Sequence, residues 1–291
     1  MTAVHHRTLG VGGRTVFYRE AGDIGAPAVL LLHGAPASSF MFRDLIPLLA
    51  DRYHVVAPDL IGFGFSEAPP VDEFDYTFDS LTDVVEDFLH SVGVERFALY
   101  VQDYGAPVGW RLALRDPSRI TAIVSQNGNA YTEGFVDSFW NPLWEYADDP
   151  TEEKAAPLRE ALTLEKIRRQ YTHGVPDPSV VSPDTWVHDH ACVSRPGNSE
   201  VQLKLFREYP TNVAQYPEVQ EYFRRTGVPL LAVWGRGDEI FGPDGARAFR
   251  RDLPDAEVHL LDGGHFLLES ELTAVAALMN AFLDRTLGSR A

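Results

Sequence analysis

The chain has 291 residues, a formal charge of −17, and 45% hydrophobic and 23% charged residues. That is the balance of a soluble globular chain with one large core, or a core carrying an insert. So strong an acidic excess speaks against nucleic-acid and anionic-membrane partners, both of which select basic patches. A single cysteine, Cys192, excludes an intramolecular disulfide and fits a reducing compartment. The opening "MTAVHHRTLG" has no charged n-region leading into an apolar stretch. No apolar run approaches the roughly 20 residues that span a bilayer, so a cytoplasmic location is expected.

In chain order, "HHRTLGV" and "RTVFYRE" flank Gly12-Gly13, and paired glycines supply the positive φ of a tight hairpin. Short apolar runs follow at 28–33, 54–58, 97–101, 120–125, 229–234 and 256–261. Rich in leucine and β-branched residues and lacking alternation, they predict strands covered on both faces, as in a parallel sheet. Between them "FMFRDLIPLLA", "LTDVVEDFLHSV", "APVGWRLALRD" and "PDGARAFRRDL" repeat apolar residues three or four apart, which predicts helices. The alternation lapses from about Tyr131 to Gly227, where Trp, Tyr, Pro and acids accumulate and "EEKAAPLREAL" and "LEKIRRQY" read as helical. The expected fold is α/β: a mostly parallel sheet flanked by helices, its core formed by 1–130 and 228–291. An inserted helical cap, 131–227, is expected over one end of the sheet.

Ligands of open α/β sheets bind beyond the carboxyl ends of the strands. His33-Gly34-Ala35-Pro36 follows the first buried run, Asp103 follows "FALYV", Asp238 follows "PLLAVWGRG", and His265 follows "AEVHLLDGG". Each has a plainer reading: aspartate is a favoured helix N-cap, and a buried histidine can be a satisfied core residue. Asp238 competes with Glu239 and Asp262, although Asp262 is close enough to His265 to serve the turn. The run at 120–125 ends in Gln126, Asn127 and Asn129, which supply no carboxylate. "HDHAC" holds His188, Asp189, His190 and Cys192 but has no second cluster to complete a metal site. Neither "GVGGR" nor "GFGFS" has the context of a phosphate loop or dinucleotide fingerprint, so no cofactor is expected.

The segments "HGAPASSFMFRDLIPLL", "VVAPDLIGFGFSEAP", "VQDYGAPVGWR", "VWGRGDEIF" and "GGHFLLE" together resemble the α/β-hydrolase superfamily. Within it the chain is similar to the aspartate-nucleophile branch, the epoxide hydrolases and haloalkane dehalogenases. The resemblance implies Asp103 as nucleophile, Asp238 and His265 as acid and base, and the backbone N–H groups of Ala35 and Tyr104 as an oxyanion hole. A carboxylate suits displacement at saturated carbon because it is already ionised near neutral pH. The implied partners are a small apolar organic substrate and water.

The leaving group divides the two families. A departing epoxide oxygen wants a proton, and similar epoxide hydrolases carry a tyrosine near the end of the cap. This implies Tyr209, with Tyr216 nearby in sequence, and Tyr146 in "FWNPLWEYADDP" as a second hydroxyl. His33 heads the His-Gly-x-Pro pattern of the same family. A halide needs only N–H donors. Dehalogenases commonly have Trp after the nucleophile and often Asn after the His-Gly pair, where this chain has Tyr104 and Ala35. Trp140 and Trp144 are then available as halide binders. Any of these rings also reads as packing between cap and core. Epoxide hydrolysis leads, with dehalogenation and a non-catalytic small-molecule receptor as the alternatives.

Overall fold

The paired glycines turn the chain as expected: β1 (His5–Val11) and β2 (Arg14–Ala21) form an antiparallel hairpin, with Gly12 and Gly13 at φ 54° and 80°. In the computed structural model, which describes residues 2–288, six further strands run parallel to one another. These are β3 (Ala28–Leu32), β4 (His54–Pro58), β5 (Phe97–Val101), β6 (Ile120–Gln126), β7 (Leu230–Gly235) and β8 (Glu257–Leu261). The sheet order is β1-β2-β4-β3-β5-β6-β7-β8, so β3 and β5 are neighbours near its centre.

The unbroken apolar runs are explained by two cores, one on each face. Leu30, Leu32, Leu99 and Val101 point into one; Val29, Leu31, Ala98 and Tyr100 point into the other. Successive strand side chains alternate between faces, so a strand covered on both sides is apolar at every position.

One expected helix is not continuous. In "FMFRDLIPLLA" a 3-10 turn spans Ser39–Phe42, where the Ser38 hydroxyl accepts the Phe40 N–H, and α1 (Ile46–Leu49) is a single separate turn. Pro47 has no N–H to continue the earlier turn, and it occupies a first-turn position where none is required. The other core helices are α2 (Phe78–Ser91) and α3 (Gly105–Arg115). Between β6 and β7 the regular structure is entirely helical: α4 (Asp137–Asp148), α5 (Glu152–Glu160), α6 (Leu164–Thr172), α7 (Pro183–Val193), α8 (Asn198–Glu208) and α9 (Pro210–Thr226). The chain closes with α10 (Pro243–Asp252) and α11 (Leu268–Leu287). The helical segment is knitted into the body of the molecule. Trp140, Leu143, Leu205 and Tyr209 join one core, Ile167 and Tyr171 the other, and the Phe223 ring of α9 meets Trp110 of α3 at 5.5 Å.

The entry to α3 constrains the whole sheet centre. A Cβ added to Gly105 would lie 2.2 Å from the Leu32 carbonyl oxygen at the end of β3. Only a residue without a side chain allows β3 and α3 to approach this closely. Gly105→Ala is expected to lower stability by about 3 kcal/mol. It should reduce the urea midpoint without changing the slope of the unfolding transition.

Candidate active site

At the tip of β5 the chain reverses into α3 through Gln102, Asp103 and Tyr104. Asp103 takes a left-handed φ of 46°, which non-glycine residues seldom adopt and which costs about 1–3 kcal/mol. Backbone bonds hold it there: Gln102 N–H donates to the Leu32 carbonyl at 3.1 Å, and Gly105 N–H to the Gln102 carbonyl at 2.7 Å. The conformation turns the carboxylate away from α3, whose N-cap position is Tyr104 and has no side-chain cap. Asp103 is therefore not an N-cap. Its Oδ1 accepts the Ala35 N–H at 2.7 Å, and the Tyr104 N–H also points at the carboxylate. Gly34 makes room for this, since a Cβ there would lie 2.2 Å from the Asp103 Cβ.

Asp103 is 5% exposed, and burial pushes its pKa above the ordinary carboxylate value. His265 and the N–H groups of Ala35 and Tyr104 oppose that rise by stabilising the anion.

His265 stands on the loop after β8, with Nδ1 2.9 Å from Asp238 Oδ2. Asp238 is held in turn by Asn127 Nδ2 at 2.5 Å on Oδ2 and by Ile240 N–H at 2.8 Å on Oδ1. Donation from Nδ1 to the carboxylate leaves the Nε2 lone pair free, and the Gln102 amide N–H approaches it at 2.8 Å. The rival acids are engaged elsewhere: Glu239 pairs with Arg169, and the exposed Asp262 pairs with Arg236. Asp103, Asp238 and His265 thus form one buried constellation. It can present an anionic oxygen, a base 163 positions from its amide neighbour in sequence, and two N–H groups aimed at one carboxylate.

Aromatic and aliphatic side chains roof Asp103. Phe139, Trp140 and Leu143 of α4, Leu162, Phe206 of α8 and Ile240 bound a narrow cavity whose floor includes Asp103 and Tyr104. Phe139, Ala161 and Gln170 also line an outer groove, so these three residues lie between the cavity and the surface. The Tyr209 ring lies 5.9 Å from that of Tyr104 and 4.4 Å from Trp140. Burial raises the pKa values of Tyr209 and Tyr216, and the Asp103 charge raises both further, so each hydroxyl lies within the field of that carboxylate.

Four other expectations meet different outcomes. Tyr146 is not in this group: its electrostatic neighbours are Glu200, Arg159, Arg207 and Glu152 near the outer ends of α5 and α8. Tyr216, by contrast, hydrogen-bonds Tyr209 and feels the Asp103 charge. His33 is fully buried and satisfied without substrate, since Nδ1 bonds the Gly34 carbonyl at 2.8 Å and Nε2 accepts the Leu60 N–H at 3.0 Å. Trp140 borders the cavity, but its indole N–H donates to the Ile240 carbonyl at 2.8 Å. Trp144 stacks on Trp140 at 5.0 Å and is not among the cavity-lining residues. In α7 the "HDHAC" side chains do not gather into one cluster: His188 meets Ser38 and Cys192, Asp189 takes the Tyr171 hydroxyl, and His190 meets Ser194. Gln102, Asn127 and Gln202 were missed by sequence reasoning, although Gln102 and Asn127 are polar residues at the ends of fully buried strands.

The fold and this site define an α/β-fold hydrolase. The chain belongs to the alpha/beta hydrolase fold family, whose model matches residues 27–272. An uncharacterized hydrolase of Saccharomyces cerevisiae, YNR064C, is 46% identical over 93% of this chain and 94% of its own length. Haloalkane dehalogenase 2 of Mycobacterium bovis is 28% identical over 90% of this chain and 89% of its own. Epoxide hydrolase 3 of Mus musculus is 26% identical over 95% and 76%. Among solved structures, haloalkane dehalogenase DbeA from Bradyrhizobium elkani superposes with a TM-score of 0.77 at 24% identity, covering 98% of this chain and 100% of that one. The chain is therefore a hydrolase related to haloalkane dehalogenases and epoxide hydrolases.

Burial lowers the His265 pKa, but the charge and hydrogen bond of Asp238, then the charge of Asp103, more than reverse this and leave it above its ordinary value. An imidazole resonance of His265 followed by NMR should titrate above about 6.5. Asp103→Asn should move that titration down and Asp238→Asn should move it down further; an unmoved titration in both would contradict the assigned geometry.

Proposed function

We propose that the chain is an epoxide hydrolase, which opens an epoxide with Asp103, holds the product as an alkyl ester and hydrolyses that ester to a vicinal diol. The observation that carries this reading is how the donors above Asp103 are used. The Trp140 N–H is committed to the Ile240 carbonyl, while the Asp103 charge acts on the Tyr209 and Tyr216 phenols, which hydrogen-bond each other and so form a relay that can pass a proton toward the leaving oxygen. A departing halide needs only N–H donors, whereas an alkoxide is strongly basic and needs a proton. Kinship with Haloalkane dehalogenase 2 favours halide release as the second reading. The committed indole and the methyl side chain of Ala35 weigh against it.

In the first step a carboxylate oxygen of Asp103 forms a bond to an epoxide carbon as the ring C–O bond breaks. The oxygen leaves with its electron pair and takes the Tyr209 proton. The raised pKa of that phenol keeps it protonated until so basic a group arises. In the second step His265 Nε2, given up by the Gln102 N–H, removes a proton from water attacking the Asp103 carboxyl carbon. The oxyanion forms against the N–H groups of Ala35 and Tyr104. Collapse of this intermediate expels the second diol oxygen as an alkoxide, which takes the proton of the newly formed Asp103 carboxyl group and regenerates the carboxylate, while the imidazolium proton restores Tyr209.

The helices between β6 and β7 serve as a cap that excludes bulk water from the attack. The reaction needs only a small, largely apolar epoxide and water, and the setting is cytoplasmic.

Assays of diol formation from aryl and alkyl epoxides, beside halide release from haloalkanes, test the reading. Diol is expected, and Tyr209→Phe should reduce its rate about a hundredfold. Halide release without epoxide turnover would reverse it. His265→Gln should accumulate the ester, visible as added mass on the intact protein.

A further inference from the structure

Among the described residues, two that border the cavity carry a buried polar side-chain atom without a protein partner, the Tyr104 hydroxyl and Gln202 Oε1, and only the second is purely an acceptor. Gln202 of α8 is fully buried and borders the same cavity as Asp103, and its Oε1 accepts no hydrogen bond. Amide orientation is an assignment, but here the network supplies it. The Gly62 carbonyl can only accept, and Asn198 Nδ2 donates to it at 2.7 Å. This turns Asn198 Oδ1 toward Gln202, which can meet an acceptor only with its own N–H, at 3.2 Å from Nε2. Rotating either amide would set two acceptors or two donors face to face. Gln202 Oε1 is therefore the end of a directed chain that begins at a backbone carbonyl.

The spacing of Asn198, Gln202 and Phe206 fits one helix face, since residues four apart on a helix are neighbours. Phe206, the third of them, also lines the cavity. An aligned acceptor in an otherwise apolar wall rejects ligands that cannot donate to it, because the acceptor would be desolvated and left unpaired.

We propose that Gln202 is a specificity-determining residue that accepts a hydrogen bond from the substrate, and that the preferred substrates are epoxides bearing a hydroxyl or N–H group, such as epoxy alcohols. The inference rests on the epoxide reading above. A plain alkyl or aryl epoxide would bring no donor to Gln202, whereas an epoxy alcohol satisfies Gln202 while its oxirane carbon meets Asp103.

Matched pairs test this: an epoxy alcohol, and its analogue with the hydroxyl replaced by hydrogen. The native chain should show a kcat/KM at least tenfold higher for the alcohol. Gln202→Met keeps the volume and removes the acceptor. It should abolish that preference by lowering kcat/KM for the alcohol, with the deoxy epoxide changed less than threefold. That retained activity also shows that the variant folds. Should Gln202→Met lose both activities, Gln202→Leu, of similar volume and also without the acceptor, should retain deoxy-epoxide turnover without the alcohol preference. Equal rates for the native chain on both members of the pair would overturn the proposal, since a trapped water would then satisfy Gln202. A preference that persists undiminished in Gln202→Met would overturn it too. If neither epoxide reacts while halide is released, the epoxide reading falls instead. The same tenfold ratio is then required between a halo-alcohol and its haloalkane, and its absence would overturn the assignment of Gln202.

Discussion

Asp103 must stay ionised although only 5% of its surface reaches solvent, and the centre of the molecule is arranged around that demand. An isolated buried carboxylate would take up a proton. Here the ends of β3 and β5 converge so closely that the Ala35 N–H meets Asp103 Oδ1 at 2.7 Å, with the Tyr104 N–H and His265 completing the compensation. Two glycines permit the approach, Gly34 facing Asp103 and Gly105 facing the Leu32 carbonyl. The strained φ of Asp103 is the local expense of this geometry, offset by the surrounding backbone hydrogen bonds. In the proposed mechanism the same N–H groups that hold the resting anion also hold the oxyanion of ester hydrolysis, so the site need not reorganise between the two steps.

In the proposed mechanism, electrostatic coupling links the two steps in time. While Asp103 is charged it helps keep His265 protonated. Forming an ester removes that charge, lowers the proton affinity of the imidazole, and releases a base at the moment when water must be activated. Asp238 is pinned by Asn127 and Ile240, so ring orientation is preserved as proton affinity falls. On this account the nucleophile regulates its own partner. The roof carries an indole N–H withdrawn to a backbone carbonyl, and behind it lie two hydrogen-bonded phenols on which the Asp103 charge acts.

Most of the fold was legible in the sequence because strands buried on both faces leave unbroken apolar runs, and each predicted strand from β3 to β8 lies within a residue of the observed one. The order aspartate, acid, histidine at successive strand ends likewise pointed to Asp103, Asp238 and His265, which the fold brings together. Composition could not reveal rotation about a helix axis. Tyr146 lies two residues beyond Trp144, about 200° further round α4, and faces the charged residues of α5 and α8 instead of Asp103. His33 looked functional by position, but its two ring nitrogens are consumed by Gly34 and Leu60. The helix expected in "FMFRDLIPLLA" failed at Pro47, whose effect on hydrogen bonding outweighs the apolar spacing. Gln202 gave no sequence signal at all, because its meaning depends on an amide network spanning Gly62 and Asn198.

The central claim is that the Asp103 carboxylate itself bonds to substrate and that water then attacks its carboxyl carbon. A single turnover in heavy-oxygen water, followed by digestion and mass analysis of the peptide containing Asp103, tests this directly. The account predicts one heavy oxygen in the Asp103 carboxyl group and none in the product of that first turnover. Label found only in the released product, with the Asp103 peptide unchanged in mass, would contradict it.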